Sequence, residues 1–262
     1  VMVYVPAGDF PMGSTEADVA QALESYAGWA EDWFDGELPQ HVVHLDAYWI
    51  DKYEVRNRQF AQFIEAGGYD QRDLWTQEGW DWKTREQRTQ PRYWLSPPWN
   101  EPERPVVGVV WFEALAYCRW VGGRLPNDAE WERAAGWDAD SAEKRIYPWG
   151  NDWDPGRANT KESARQETTP VGEYCPEAES PVGACDMAGN VWEWCSSLHL
   201  SYPYDPSDGR ENLESQGTRV LRSGSWLNAQ VEARTTYRLP PFPGDFILFD
   251  PTNGFRCAMS DR

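Results

Sequence analysis

Six consecutive residues, Gly189-Asn190-Val191-Trp192-Glu193-Trp194, set a carboxylate between two indoles, directly after the small-residue turn Asp186-Met187-Ala188-Gly189. A carboxylate in that company is at least partly buried, and a buried carboxylate stays charged only beside a cation or several hydrogen-bond donors. The run therefore reads either as a metal-binding corner or as a strand carrying one satisfied acid. Other chemistry-bearing residues are few. The histidines are His41, His44 and His199. His41 and His44 lie three apart, which on an extended segment points them to opposite faces. Five cysteines include no Cys-x-x-Cys pair, so a zinc knuckle is not expected.

The elements that must position these residues are short. Val3 to Val5 reads as a strand. Apolar spacing predicts a helix over 15–33 with Ser14 as its N-cap, and alternation predicts one strand over 42–50. Asn57 to Ala66 reads as a helix closed by Gly67-Gly68. Residues 69–105 read as an ordered loop, 106–110 as a strand and 111–121 as a helix. Asn127 caps a further helix over 128–136, with Glu130 completing a capping box. After the turn-rich stretch 147–181, strands are expected at 219–221 and 254–258. There is no linker, low-complexity tract or internal repeat, so residues 1–262 read as one domain.

The chain carries 17 Trp, 12 Tyr and 9 Phe beside 21 Gly and 20 Pro. That composition predicts an irregular, loop-rich α+β fold with little regular secondary structure, held by aromatic packing. The net charge of −19 disfavours nucleic acid and anionic membrane surfaces. No stretch approaches the roughly 18 apolar residues of a membrane span, so membrane insertion is not expected.

Seven motifs, in order along the chain, resemble the formylglycine-generating enzyme, or sulfatase-modifying factor, family. They are Val5-Pro6-Ala7-Gly8-Asp9-Phe10-Pro11-Met12-Gly13-Ser14, Tyr48-Trp49-Ile50-Asp51-Lys52-Tyr53-Glu54-Val55 and Arg124-Leu125-Pro126-Asn127-Asp128-Ala129-Glu130-Trp131-Glu132. Then come Tyr147-Pro148-Trp149-Gly150 with the opening run, and finally Arg222-Ser223-Gly224-Ser225-Trp226 with Gly254-Phe255-Arg256-Cys257. The resemblance implies a large, loop-rich variant of the C-type lectin fold. Catalytic members hold copper between two Cys after the Gly-Ser-aromatic turn. Here Asn228 falls at the first ligand and Glu232 or Ala233 near the second, and neither an amide nor an alanine holds Cu(I). The iron-dependent branch needs a histidine cluster that this chain lacks. Neither copper nor iron is expected.

The resemblance also implies structural calcium, bound by Asp186, the carbonyls of Gly189 and Val191, and Glu193. All are hard oxygen donors of the kind Ca²⁺ takes. A second ion would begin at Asn159 and the carbonyl of Thr160, with further ligands near Ser163 to Arg165. A family disulfide falls on Cys118 and Cys257, with two buried free thiols as the alternative. Cys175 and Cys185 flank a short loop and can also pair, leaving Cys195 alone. A disulfide would imply an extracytoplasmic, oxidising compartment.

The family's ligand face falls on Ser225, Trp226, Leu227, Asn228, Ala229, Val231, Glu232, Arg234, Tyr237 and Arg238. Trp192 and Arg256 read as internal packing and ion-pair residues. Phe242, Phe246 and Phe249 add an apolar patch in the last loop, which points to a protein or hydrophobic ligand. Variable proteins of diversity-generating retroelements are a second resemblance, because their varied residues lie between the Gly-Ser-Trp turn and the final Gly-Phe-Arg. The expected function is thus a non-catalytic binding module working through segment 226–253. The alternatives are a modifying enzyme of the oxidoreductase type and a structural subunit of a larger assembly.

Overall fold

Alternate residues Val43 and Leu45 are buried, and then Tyr48 and Ile50 are. The buried positions change from odd to even at Asp46-Ala47. One continuous strand cannot keep both sets on the same face. The expected strand over 42–50 accordingly divides into β3 (His41–Leu45) and β4 (Tyr48–Asp51), which belong to different sheets. The computed structural model describes residues 1–26, 28–241 and 250–261.

Strand β1 (Met2–Val5) pairs antiparallel with β4, and β10 (Ala258–Ser260) pairs with the other edge of β4. Strand β2 (Gly8–Met12) pairs with β3. Strands β5 (Trp137–Asp138) and β6 (Glu143–Lys144) pair antiparallel as a small sheet of their own, and a further sheet has β7 (Trp192–Leu198) at its centre. There β8 (Arg219–Arg222) runs antiparallel to it and β9 (Asn253–Gly254) runs parallel. The expected closing strand over 254–258 is thus two strands, separated by Phe255-Arg256-Cys257.

Helix α1 (Glu16–Ser25) ends well before Trp33, and Gly28 follows in the left-handed region at φ +98°. Its cap is Thr15, in a reciprocal box with Asp18, whereas the Ser14 hydroxyl donates to Glu37. Helix α2 (Asn57–Glu65) follows β4. The stretch expected as loop contains α3 (Gln77–Arg85), whose cap Thr76 accepts from the Gly79 amide. Residues 106–110 run extended without forming a strand, because Gly108 turns the backbone left-handed. Helix α4 (Trp111–Trp120) and helix α5 (Asp128–Gly136) lie where expected. In α5, Asn127 Oδ1 accepts from the Glu130 amide at 2.7 Å, and Glu130 returns the contact to the Asn127 amide at 2.9 Å.

The main core is aromatic. Phe60 of α2 stacks on Tyr117 of α4 at 5.3 Å, and Phe63, Trp111, Trp194 and Phe255 close around them. Glu113 of α4 is buried in this core, accepting from Tyr69 at 2.7 Å and from the Val110 amide at 2.9 Å. Burial raises its pKa to about 7. A carboxyl raised in the fold contributes stability that is complete below its unfolded value of about 4.3 and lost as pH rises through 7. Stability is therefore expected to fall by about 3 kcal/mol between pH 4.5 and pH 8 on account of this group. The pH slope of urea midpoints for Glu113→Gln should be flatter than that of the parent, and an unchanged slope would contradict the assignment.

Candidate functional site: the Glu193 corner and the Trp226 face

Strand β7 delivers Glu193 to the centre of its sheet, opposite Arg222 of β8 and Gly254 of β9. Two residues beyond Gly254, Arg256 reaches back over that centre. Its Nε lies 2.6 Å from Glu193 Oε2 and its Nη2 lies 2.7 Å from Oε1. Trp131 Nε1 donates to the same carboxylate at 2.9 Å. Both side chains of the pair are fully buried. The remaining Arg256 donors go to carbonyls of Asp51, Lys52, Cys185 and Asp186. Burial works against the guanidinium charge, and Glu193 more than offsets it. Of the two readings of the opening run, Glu193 is first of all a satisfied strand acid.

The corner still holds surplus negative charge. Asp186 has φ +56°, is buried, and accepts from the Gly172 amide at 2.6 Å. Burial raises its pKa to about 6. Glu54 is buried nearby. Its Oε2 accepts from Asn190 at 2.7 Å while its Oε1 has no hydrogen-bond partner among the described residues. Burial, then the Asp186 and Glu193 charges, push the Glu54 carboxyl well above its usual range. Three buried carboxylates thus surround the Arg256 guanidinium, with Arg56 adding a weaker positive charge near Asp186. An unpartnered carboxylate oxygen beside hard oxygen donors fits a divalent cation.

The oxygens of the second expected ion site are engaged within their own loop. Asn159 Oδ1 accepts from the Ser163 hydroxyl at 3.0 Å, and the Thr160 carbonyl accepts from the Ser163 amide and hydroxyl. The Asn159 amide nitrogen donates to the Glu167 carbonyl and to Asn190. These oxygens are used in closing the loop on itself.

The structure separates the expected ligand-face residues by depth. Leu227 is 56% exposed. Trp226 is partly exposed, stacks on Trp99 at 5.5 Å and donates to the Pro251 carbonyl. Ala229 is partly exposed and packs at the edge of the cluster formed by Val19, Phe34 and Val231. Just beneath, Asn228 is braced on both sides of its amide. Its Oδ1 accepts from Trp192 Nε1 at 2.9 Å and from the Ser225 hydroxyl, and its Nδ2 donates to Glu232 Oε1 at 2.6 Å. Glu232 Oε2 accepts from the Ala229 amide.

The others lie beneath the surface rather than on it. Ser225 and Val231 are fully buried. Arg234 forks onto Glu37 and lies over the Phe34 ring. Tyr237 packs among Trp29, Phe34 and Trp192, and Arg238 pairs with Asp128 at 3.1 Å. Phe242, Phe246 and Phe249 lie outside the described residues. Both cysteine pairs are disulfides, Cys118–Cys257 and Cys175–Cys185, with Cys195 free and buried.

The histidines do not converge. His44 meets Asp9, His41 accepts from the Tyr204 amide, and His199 is half-buried, loss of solvation lowering its pKa to about 4. Sequence reasoning missed two features. Glu54 lies in a motif whose other residues drew the attention. The cleft between α1 and Trp153 is assembled from residues more than 200 positions apart.

Short helices around several two- and three-stranded sheets, with the chain ends meeting in one sheet, define a C-type lectin-like domain. The chain belongs to the sulfatase-modifying factor enzyme 1-like domain family, whose model matches residues 1–261. It is 36% identical over 222 residues to a hercynine oxygenase of Mycolicibacterium thermoresistibile, which covers 78% of this chain and 49% of that protein. It is 31% identical to a formylglycine-generating enzyme of Thermomonospora curvata, over 98% of this chain and 92% of the relative. Among solved structures, Treponema denticola variable protein 1 superposes with a TM-score of 0.65 at 19% identity, covering 99% of this chain and 95% of that one. The chain spans about half the length of the first of these curated relatives.

Proposed function

We propose that this chain is a non-catalytic binding module, with its contact surface centred on Trp226 and Leu227 and a structural calcium at the Asp186 corner. The Asn228 brace carries the reading. The position that would hold the first copper thiolate is an amide fixed by Trp192, Ser225 and Glu232, which shapes a surface and offers no soft ligand. Above it stands the exposed side chain of Leu227 beside the Trp99–Trp226 stack, an apolar area suited to a protein or hydrophobic ligand. Calcium would be held by Asp186, the Gly189 and Val191 carbonyls and Glu193, with Glu54 adding charge to the site. Its chemistry there would be to neutralise buried carboxylates and lock the 186–193 turn.

Metal analysis of the purified protein is expected to give stoichiometric calcium and no stoichiometric copper or iron. Chelation should lower stability by about 2.7 kcal/mol relative to calcium at a hundredfold excess over its Kd. Asp186→Ala should abolish that difference. Stoichiometric copper or iron would overturn the non-catalytic reading. A second reading, the substrate-holding part of a larger modifying enzyme, is favoured by the match to about half of a hercynine oxygenase. It predicts turnover when the chain is combined with a metal-bearing partner domain, and the first reading predicts none.

A further inference from the structure

A cleft of about 380 Å³ opens between α1, the 144–153 segment and Gln230, Arg234 and Thr236, and Leu227 is not in its lining. We infer that this cleft binds a neutral, multiply hydroxylated small molecule of about sugar size. Its volume lies in the range of small-molecule sites, which run from about 300 to 1,000 Å³.

The chemistry of the walls selects the class of ligand. Every cation in the lining already has a partner. Lys144 lies 3.3 Å from Glu132, Arg145 meets Asp138 at 2.5 Å, and Arg234 forks onto Glu37. An anion would have to compete with those carboxylates. Of the two acids in the lining, Asp18 is used by the Thr15 cap and Asp152 is exposed to water, so neither forms a buried counter-charge for a cation.

What remains is uncharged hydrogen-bonding capacity beside flat rings. Gln21, Asn151 and Gln230 supply amides, and Tyr26 and Tyr147 supply hydroxyls that meet each other at 2.5 Å. Among the described residues Gln230 Oε1 has no hydrogen-bond partner, and it is closed to water while the cleft is empty. Tyr147 and Trp153 lie 4.9 Å apart at 57°, and Trp149 stacks on Tyr147 behind them. The half-buried Trp153 ring, backed by the buried Tyr147, gives rigid contact area to the apolar face of a ring-shaped ligand, while amides and the Tyr26 hydroxyl take its rim. The inference is independent of the reading of the Leu227 face.

The test uses the full chain, with maltose and myo-inositol as probes and tetramethylammonium and phosphate as contrasts. Binding is read by saturation-transfer NMR and calorimetry. At least one of the hydroxylated probes should bind saturably, with a Kd on the order of 1 mM. Trp153→Ala and Gln230→Ala should each weaken it at least about tenfold, and Leu95→Asp, at an exposed residue outside the cleft lining, should leave it unchanged. The inference is overturned if neither hydroxylated probe binds, if either cleft variant keeps the parent affinity, or if the ammonium or phosphate ion binds in their place. Circular dichroism of each variant separates loss of the cleft from loss of fold.

Discussion

Arg256→Met is expected to cost about 3–5 kcal/mol of stability, because it strands the Glu193 carboxylate in a fully buried position. For a chain of this size that corresponds to a fall in Tm of roughly 10 °C. The guanidinium is placed to do more than neutralise one acid. It gathers the carbonyls of Asp51 and Lys52 at the end of β4 and those of Cys185 and Asp186 at the turn, while pairing with β7. Three pieces of chain meet on one planar group. Glu193→Gln should cost less than the arginine change, since Trp131 can still donate to the amide oxygen and Glu54 and Asp186 still face the Arg256 charge. The double variant should be less destabilised than the sum of the two, because removing both partners leaves no lone buried charge. Additive losses in guanidinium unfolding would show that the pair is not coupled.

This corner also shows how far the sequence could be read. Adjacency alone put a buried acid at Glu193, and Arg256 read as an internal ion-pair residue. The register that joins them, a parallel pairing of Glu193 with Gly254, is a long-range choice that no local pattern encodes. Elements whose signals are local were legible. In α5 the Asn127–Glu130 box fixes the start without reference to the rest of the chain. Helix α3 was hidden because Trp82 and the stem of Lys83 are its buried side chains, too few to make a helical apolar repeat. The break between β3 and β4 was written in the shift of parity at Asp46-Ala47.

The ligand face was read from residue type, and type does not report depth. Arg234, Tyr237 and Arg238 have the composition of a recognition surface. The acids that draw both arginines inward, Glu37 and Asp128, lie 197 and 110 positions away (238 minus 128 for the second). Leu227, with no polar partner to bury it, stayed outside. The same argument explains why the Tyr26–Trp153 cleft was invisible: its walls come from α1, the 144–153 segment and the 230–236 segment.

The two disulfides should differ in what their loss costs, in the order of the loops they close. Cys118–Cys257 spans 139 positions and Cys175–Cys185 spans 10. Chain-entropy reasoning then gives about 5 kcal/mol for the first and about 3 kcal/mol for the second. The native contacts around Cys257 survive its replacement. Its amide donates to Asp51 Oδ2 at 3.1 Å and its carbonyl accepts from the Asp51 amide at 2.8 Å, both through backbone atoms. The cost of Cys118→Ala with Cys257→Ala is therefore expected in the unfolded ensemble, as a shift in denaturation midpoint with little change in the folded-state spectrum. For Cys175→Ala with Cys185→Ala the backbone is also anchored, since the Cys185 amide donates to the Lys52 carbonyl at 2.7 Å. Cys185, however, directly precedes Asp186 and supplies a carbonyl to Arg256. If the short disulfide proved the more costly to remove, loop entropy would not be the reason. The loss would then lie in the folded state, through loosening of the turn that holds Asp186 and Arg256 together. Measuring both double variants in the presence and absence of calcium separates these causes, because only the second would couple to the ion proposed at Asp186.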